Sequence, residues 1–513
     1  MIRSRKAGKS SGDDWEEDGT GSKSHARKRP SLTSEFGGRN VSMISNKAIA
    51  GIIAAIIGLG FILEHFSGPP TTKSGIVIPS SVTQGVSLIP PEEDAKLIRD
   101  TDGQMYHLIF STDCGTYQHW QSYLTFFRAM KVRQPGTVTR IASGCTEEEK
   151  IVIEAWFKNH VQHMSSRFHL LLTPHFSGVK DADGNIIGDY KFFNKPFGLK
   201  YWLEHSDLVD FNNGEFPKTK DDIVILIDPD MSMMRPITKD FTSDKDVVIA
   251  PFRKEHLVGR TVEHGKPFAQ TYGFGSQFLK LDLEKIGGKD SRLPSVTQEE
   301  GRLYYPVGPP YIGTATDMHA ISLKWTEFVP KVHEQYPHLL AEMFAFSLAA
   351  AHLDLKFQLI QSLMISDTHT GAGEGWPLID SVSASDVCKI GKEVDFKKHP
   401  LPHVVHLCQR YSLGKDWFFG KRKIPHDVFD CQNPLFEEPP DDIATIFDYK
   451  WPPGAKDQTP LTPEMAQREA FMICHLTRAM NEAADYFKRS ACEKADANLK
   501  KTLKVADLFK QKA

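Results

Sequence analysis

Apolar residues in this chain fall into two recurring patterns: short unbroken runs, and longer stretches in which they return every three or four positions. Residues 223–227 are the purest run, Ile-Val-Ile-Leu-Ile, as a strand covered on both faces requires. Residues 105–111, 137–142, 168–172 and 247–250 read as further strands. Between the first two, Tyr117, Trp120, Leu124, Phe127 and Met130 recur at helical spacing, which predicts a helix with its aromatics in the core. Asn194-Lys195-Pro196 opens another helix, with Asn194 as its N-cap and Pro196 in its first turn. Residues 339–351 predict a third helix, whose only charged member is Glu342. Strands alternating with helices from residue 105 onward place the chain in the α/β class, and no internal repeat is visible. Beyond Pro463 the sequence is helical but rich in Lys and Glu, with no dense apolar stripe, and predicts a peripheral helix and a loose tail over 443–513.

The N-terminal end is patterned differently. The first 47 residues are rich in Gly, Ser, Lys and Arg and hold almost no core-forming side chains, so a disordered tail is expected. Residues 48–63 form an uncharged run of 16, bounded by Lys47 and Glu64, long enough for a thin bilayer. Gly51, Gly58 and Gly60 argue against a buried soluble helix. The excess of Lys and Arg lies upstream, so residues 48–64 are expected to be a signal anchor with a cytosolic N-terminus. Residues 65–103, rich in Pro, Ser and Thr, read as a stem, and the main folded domain is expected over 104–442.

The strand at 223–227 delivers Asp228-Pro229-Asp230 at its C-terminal end, where open α/β sheets place their ligands. Residues i and i+2 of an extended chain share a side, so both carboxylates can face one hard cation. Other Asp-x-Asp pairs exist, but Asp100/Asp102 and Asp181/Asp183 are followed by glycines and read as turns, while Asp244/Asp246 precedes a strand pattern. Glu342, alone on an apolar helix, is either the partner of a buried cation or part of a site. His403 and His406 flank a strand-like Val-Val and must project to opposite faces, so they cannot share one ion.

The 513 residues are 40% hydrophobic and 25% charged, a globular composition. A net charge of -3 argues against a nucleic-acid partner. All seven cysteines lie beyond the apolar run, on the side where disulfides persist, and an odd number leaves at least one unpaired.

Several ordered blocks resemble one family, the plant and algal peptidyl serine α-galactosyltransferases, related to the hydroxyproline O-arabinosyltransferases. They are Phe110-Ser111 through Trp120-Gln121, Gln134-Pro135-Gly136 through Cys145 to Lys150, Asn194-Lys195-Pro196 with Tyr201 to Ser206, and Ile225 to Met231. Ala341-Glu342-Met343 and His406 with Trp417, Phe419 and Lys421 complete the series. The resemblance implies a GT-A fold, Rossmann-like, that binds a UDP-sugar and a manganese (or magnesium) ion. It further implies retaining transfer of galactose to a serine of a Ser/Hyp-rich acceptor protein in the Golgi or endoplasmic reticulum. By position, Asp228, Asp230 and His406 would hold the metal. Ser111, Asp113, Arg140, Lys195, Asp228 and Lys421 would face the nucleotide-sugar, and Glu342 would lie near the reacting carbon. Departures are Pro229 between the two aspartates, Leu407-Cys408 after the histidine and Gly420 before Lys421. An arabinosyltransferase and a non-catalytic membrane-anchored binding protein are the competing readings.

The topology predicts that in intact microsomes a C-terminal epitope is protected from protease and an N-terminal one is cut. The reverse pattern would overturn the lumenal assignment.

Overall fold

The computed structural model describes residues 88–510, except 181–182, 244, 370–372, 391–398, 415, 446–460, 494–495 and 501. The expected tail, the anchor at 48–64 and the stem up to residue 87 lie outside the described residues. Among those described, no helix is long and apolar enough to cross a membrane.

The elements that position the site begin with helix α1 (Pro91–Lys96), strand β1 (Tyr106–Thr112), α2 (Tyr117–Lys131), β2 (Thr137–Ser143), α3 (Glu147–His160) and β3 (Phe168–Thr173). There follow α4 (Asn194–His205), β4 (Ile223–Ile227), β5 (Met231–Met233), β6 (Phe268–Thr271), β7 (Val307–Thr314), α5 (Ala315–Gln335) and α6 (Ala341–His352). The last are β8 (Gln358–Ile360), β9 (Met364–Ile365), β10 (Val404–His406), β11 (Arg410–Leu413), β12 (Trp417–Gly420) and α7 (Pro463–Ala491).

Seven strands form the main sheet in the order β8-β6-β7-β4-β1-β2-β3. The pairs β4-β1, β1-β2 and β2-β3 are parallel, and β7 runs antiparallel to both β4 and β6. The result is a mixed α/β domain with a parallel-rich central sheet, as the alternation of patterns predicts. β4 sits in the middle of it with all five residues buried. Its unbroken apolar run follows from having a core on each side. Ile223, Ile225 and Ile227 enter the core that contains Phe110, Phe126 and Phe127, while Val224 and Leu226 enter the one that contains Trp202, Trp325 and Phe346.

Helix α4 lies close on the second face because Gly198 carries no side chain there. A Cβ on it would come within 3.2 Å of Ile141 and 3.5 Å of the Ser111 hydroxyl. Asn194 does not cap this helix: it is the first helical residue, and its amide oxygen accepts from Ser177 Oγ at 3.1 Å. The segment 247–250, expected as a strand, joins no ladder. It is tied instead by Val248 N to Ser362 Oγ at 3.0 Å and by Gln361 N to the Val248 carbonyl at 2.8 Å.

Two expectations at the domain edges are corrected. The end of the supposed stem, from residue 88, belongs to the folded domain. Asp94 in α1 is buried and pairs with buried Arg167 at 2.8 Å, while Arg167 also donates to the Gln134 carbonyl at 2.9 Å. The helix beyond Pro463 is not peripheral. α7 buries Ala466, Ala470, Phe471, Met472, Leu476, Met480 and Ala483, and disulfides Cys388–Cys474 and Cys431–Cys492 tie it down. Its buried stripe mixes alanines with larger apolar side chains, and its buried charges are compensated: Arg468 pairs with Asp380 at 2.6 Å, and Glu469 accepts from Ser412 N at 2.6 Å. A third disulfide, Cys114–Cys145, joins the exits of β1 and β2, and Cys408 is in no disulfide.

Breaking a buried pair leaves an uncompensated charge, so Asp94→Ala is expected to cost about 3–5 kcal/mol in urea unfolding. An exposed stem would show no measurable loss.

Candidate functional site

The Asp228-Pro229-Asp230 turn leaves β4 at the C-terminal edge of the parallel strands and leads directly into β5. β5 belongs to a second, three-stranded sheet in the order β9-β10-β5. Antiparallel pairing of β10 with β5 sets His406 opposite Met231, and Leu407 N donates to the Asp230 carbonyl at 2.9 Å. This register brings a histidine 176 positions further on against the turn. Asp228, Asp230 and His406 each offer a ligand atom within 4.8 Å of the others. His406 Nε2 lies 3.3 Å from Asp230 Oδ1 and 3.9 Å from Asp228 Oδ2. Two carboxylates and one imidazole suit a hard or borderline divalent ion such as manganese or magnesium.

The chain's own cations crowd the same carboxylates. The β11–β12 hairpin doubles back and returns Lys421 to Asp230, where its ammonium pairs with Oδ2. Burial opposes ionisation of Asp230, but Lys421 and His406 outweigh it and hold the carboxyl well below its usual range. Burial equally opposes charge on His406, but neighbouring Cys408 and Asp230 hold its pKa well above the usual value. Lys195, in the first turn of α4, reaches Asp228 Oδ1 at 2.7 Å and the two oxygens of Glu342 at 3.3 and 3.4 Å. Burial works against the Lys195 ammonium; Asp228 and Glu342 more than offset it and keep it charged.

Glu342 is only 2% exposed, at the start of α6. Burial pushes its carboxyl up to about 7, and Asp228 pushes the same way against Lys195. Both partners of this ion pair are therefore shifted upward, which is inconsistent with a simple two-charge bridge. The geometry resolves it: the ammonium is nearer Asp228, so Glu342 receives only part of it. Glu342 thus stands behind Lys195, with its carboxylate in contact with that ammonium.

Ser111, Asp113 and Arg140 do not form one surface. Ser111 turns toward α4, its hydroxyl without a hydrogen-bond partner among the described residues. Arg140 is fully buried on the other side, over the Trp156 ring of α3 at 5.2 Å. It donates to Thr112 Oγ1 at 2.9 Å and to the Asp113 carbonyl at 3.3 Å, and burial lowers its pKa to about 9. Arg140 therefore braces the exit of β1. Asp113 remains at that exit, 3.2 Å from Lys191.

His403 points away, as the alternation requires. Its Nε2 accepts from Arg235 at 2.7 Å and its Nδ1 donates to the Pro236 carbonyl at 2.8 Å. Burial and then Arg235 press its pKa well below the usual value. Three side chains near the centre carried no signal as site residues. Tyr117, expected in the core, is half-buried and within electrostatic reach of Lys421 and Asp230. Tyr272 feels the charges of Asp228 and Asp230, and Cys408 lies within electrostatic reach of the His406 imidazole. Tyr117 lies within the Phe110-to-Gln121 block and Cys408 two residues beyond His406, but neither residue type pointed to a role in the site.

Two curated proteins are similar to this chain, both named peptidyl serine alpha-galactosyltransferase. The one from Arabidopsis thaliana is 25% identical over 287 residues, covering 52% of this chain and 29% of the relative. The one from Chlamydomonas reinhardtii is 23% identical over 310 residues, covering 57% and 36%. The resemblance drawn from the ordered sequence blocks is borne out. The chain spans about a third of the length of these relatives. No family model matches it. A solved structure of the galactosyltransferase LgtC with donor and acceptor sugar analogs aligns at 9% identity and a TM-score of 0.32, over 59% of this chain and 87% of that one. That score is too low to carry a statement about fold.

If His406 completes the cluster, His406→Ala weakens manganese binding by about 10- to 100-fold in calorimetric titration. His403→Ala lowers the melting temperature through Arg235 but leaves the affinity near wild type. Equal losses of affinity would assign the metal to a different register.

Proposed function

We propose that this chain is a metal-dependent glycosyltransferase of GT-A type that moves galactose from a UDP-sugar to a serine hydroxyl of a protein, with retention of configuration. The observation that carries the reading is the meeting of Asp228, Asp230 and His406 at the C-terminal edge of a parallel sheet, where nucleotide ligands bind in open α/β folds. The names of the two relatives support the sugar and the serine acceptor. Hyp-rich acceptors, manganese as the ion, and residence in the Golgi or endoplasmic reticulum behind an N-terminal anchor belong to the same proposal.

A divalent ion supplies neutralisation of the charge that grows on a diphosphate leaving group. Asp230 is the direct carboxylate ligand: it is the more buried of the pair and approaches His406 more closely. Asp228 is divided, with Oδ1 held by Lys195 and Oδ2 facing His406. Lys421 supplies a second positive charge where the diphosphate oxygens would lie. In a retaining transfer the departing phosphate oxygen accepts the serine proton, so no separate base is required. Glu342, enclosed behind Lys195, is not placed to serve as one.

The direct test is release of UDP and labelling of a peptide, using a panel of UDP-sugars, manganese, and Ser-Hyp-rich peptides. Transfer from UDP-galactose to serine is expected; transfer from UDP-arabinose to hydroxyproline would replace the proposal with the arabinosyl reading. Asp230→Ala should depress kcat by at least about 10²–10³-fold, because the contact matters most in the transition state. Its melting temperature without metal should fall, because Lys421 and His406 lose their buried counter-charge, so the rate is compared at a temperature where the variant is folded. A folded Asp230→Ala protein with near-normal transfer would end the metal-dependent reading.

A further inference from the structure

Lys195 spans two carboxylates of different kinds. Asp228 belongs to the metal cluster and is partly open to solvent, whereas Glu342 is enclosed in the second core and lies outside the cluster. The ammonium pairs closely with Asp228 Oδ1 at 2.7 Å and only loosely with Glu342, hydrogen-bonding Oε2 at 3.4 Å and lying 3.3 Å from Oε1. At that position Oε1 has no hydrogen bond to any described residue, although it is buried. A buried carboxylate oxygen without a hydrogen bond is costly, so Glu342 holds an acceptor in reserve. The surroundings keep it aimed at Lys195: the Glu342 backbone carbonyl accepts from the Trp325 indole at 2.8 Å, and its amide donates to Tyr190 Oη at 3.2 Å.

The charge arrangement gives that reserve a use. An ammonium on Asp228 neutralises the carboxylate that a divalent ion needs, and the two cations repel across it. An ion can take full advantage of Asp228 only if Lys195 has somewhere else to place its charge. The flexible four-carbon stem of lysine permits a small displacement, and among the described residues the only other carboxylate in contact with the ammonium is Glu342.

We infer that Glu342 is a positioning residue that accepts the Lys195 ammonium from Asp228 when a divalent ion enters the Asp228–Asp230–His406 cluster. This rests on the metal reading proposed above. Glu342 touches neither substrate nor ion; it acts through Lys195, and the hand-off couples an enclosed helix start on one side of the sheet to the open edge. It also accounts for the placement of a single acidic residue on an otherwise apolar helix.

The test is a double-mutant cycle on the full-length chain, with manganese alone as the probe and free ion followed by electron paramagnetic resonance. Glu342→Gln should weaken manganese binding by about tenfold or more, in line with losses from disturbed outer partners of metal ligands. Lys195→Met should bind at least as tightly as wild type, because the competing ammonium is gone. In the Lys195→Met background Glu342→Gln should cost almost nothing, since Glu342 acts only through Lys195. Simple long-range electrostatics predicts the same loss in both backgrounds, and that outcome, or no loss in either, overturns the hand-off. Where Glu342→Gln does not fold, Glu342→Asp keeps the charge but shortens the reach and should show the same background dependence. Asp230→Ala serves as the reference: if it binds manganese as well as wild type, the metal site itself falls and the hand-off with it.

Discussion

The organisation of the site follows from one electrostatic constraint: carboxylates at the end of a strand buried on both faces need positive charge close by. Asp230 is 6% exposed and ionised, which in a low-dielectric setting is tolerable only with partners in contact. The chain recruits those partners from widely separated segments. Lys195 comes from the first turn of α4, His406 from the end of β10, and Lys421 from the turn after β12. Two carboxylates of one turn thus gather three basic groups, an arrangement whose charge a divalent ion can share.

Each recruitment depends on a different part of the fold. Lys195 reaches Asp228 because α4 packs closely over the sheet at Gly198. His406 is set by a three-stranded sheet whose register leaves no freedom of face, since a one-residue slip would bring Val405 against the turn. Lys421 is returned by a hairpin that lies against α7, and α7 is anchored by two disulfides and by Glu469 bonded to Ser412 within that hairpin. The C-terminal helix therefore supports the site although none of its residues enters it.

The sequence carried the local elements well, because strands such as Ile223–Ile227 and helices such as Tyr117–Lys131 announce themselves by periodicity alone. It also exposed the Asp228–Asp230 turn, since strand end and carboxylate spacing are both local. His406 was reached only through resemblance to a family; the β10–β5 register that carries it to the turn joins segments 175 positions apart between Met231 and His406. The role of α7 was hidden because buried charged residues such as Arg468 and Glu469 interrupt a stripe that also carries Phe471, Leu476 and Met480. The surroundings of Arg140 were hidden for a related reason: a strand residue near a functional edge still alternates, and its face is decided by packing against Trp156. Glu342 was rightly singled out as a buried charge, but nothing in the sequence revealed that Lys195 stands between it and the open edge.

The most direct measurement of the proposed metal centre is anomalous X-ray scattering at the manganese edge, from crystals grown with manganese and UDP. One peak coordinated by Asp230 and His406, with Asp228 Oδ2 adjacent and the diphosphate on its open side, is the result expected. A peak elsewhere on the molecule, or UDP bound with Lys421 and Lys195 still closed on the two aspartates and no ion between them, would contradict it.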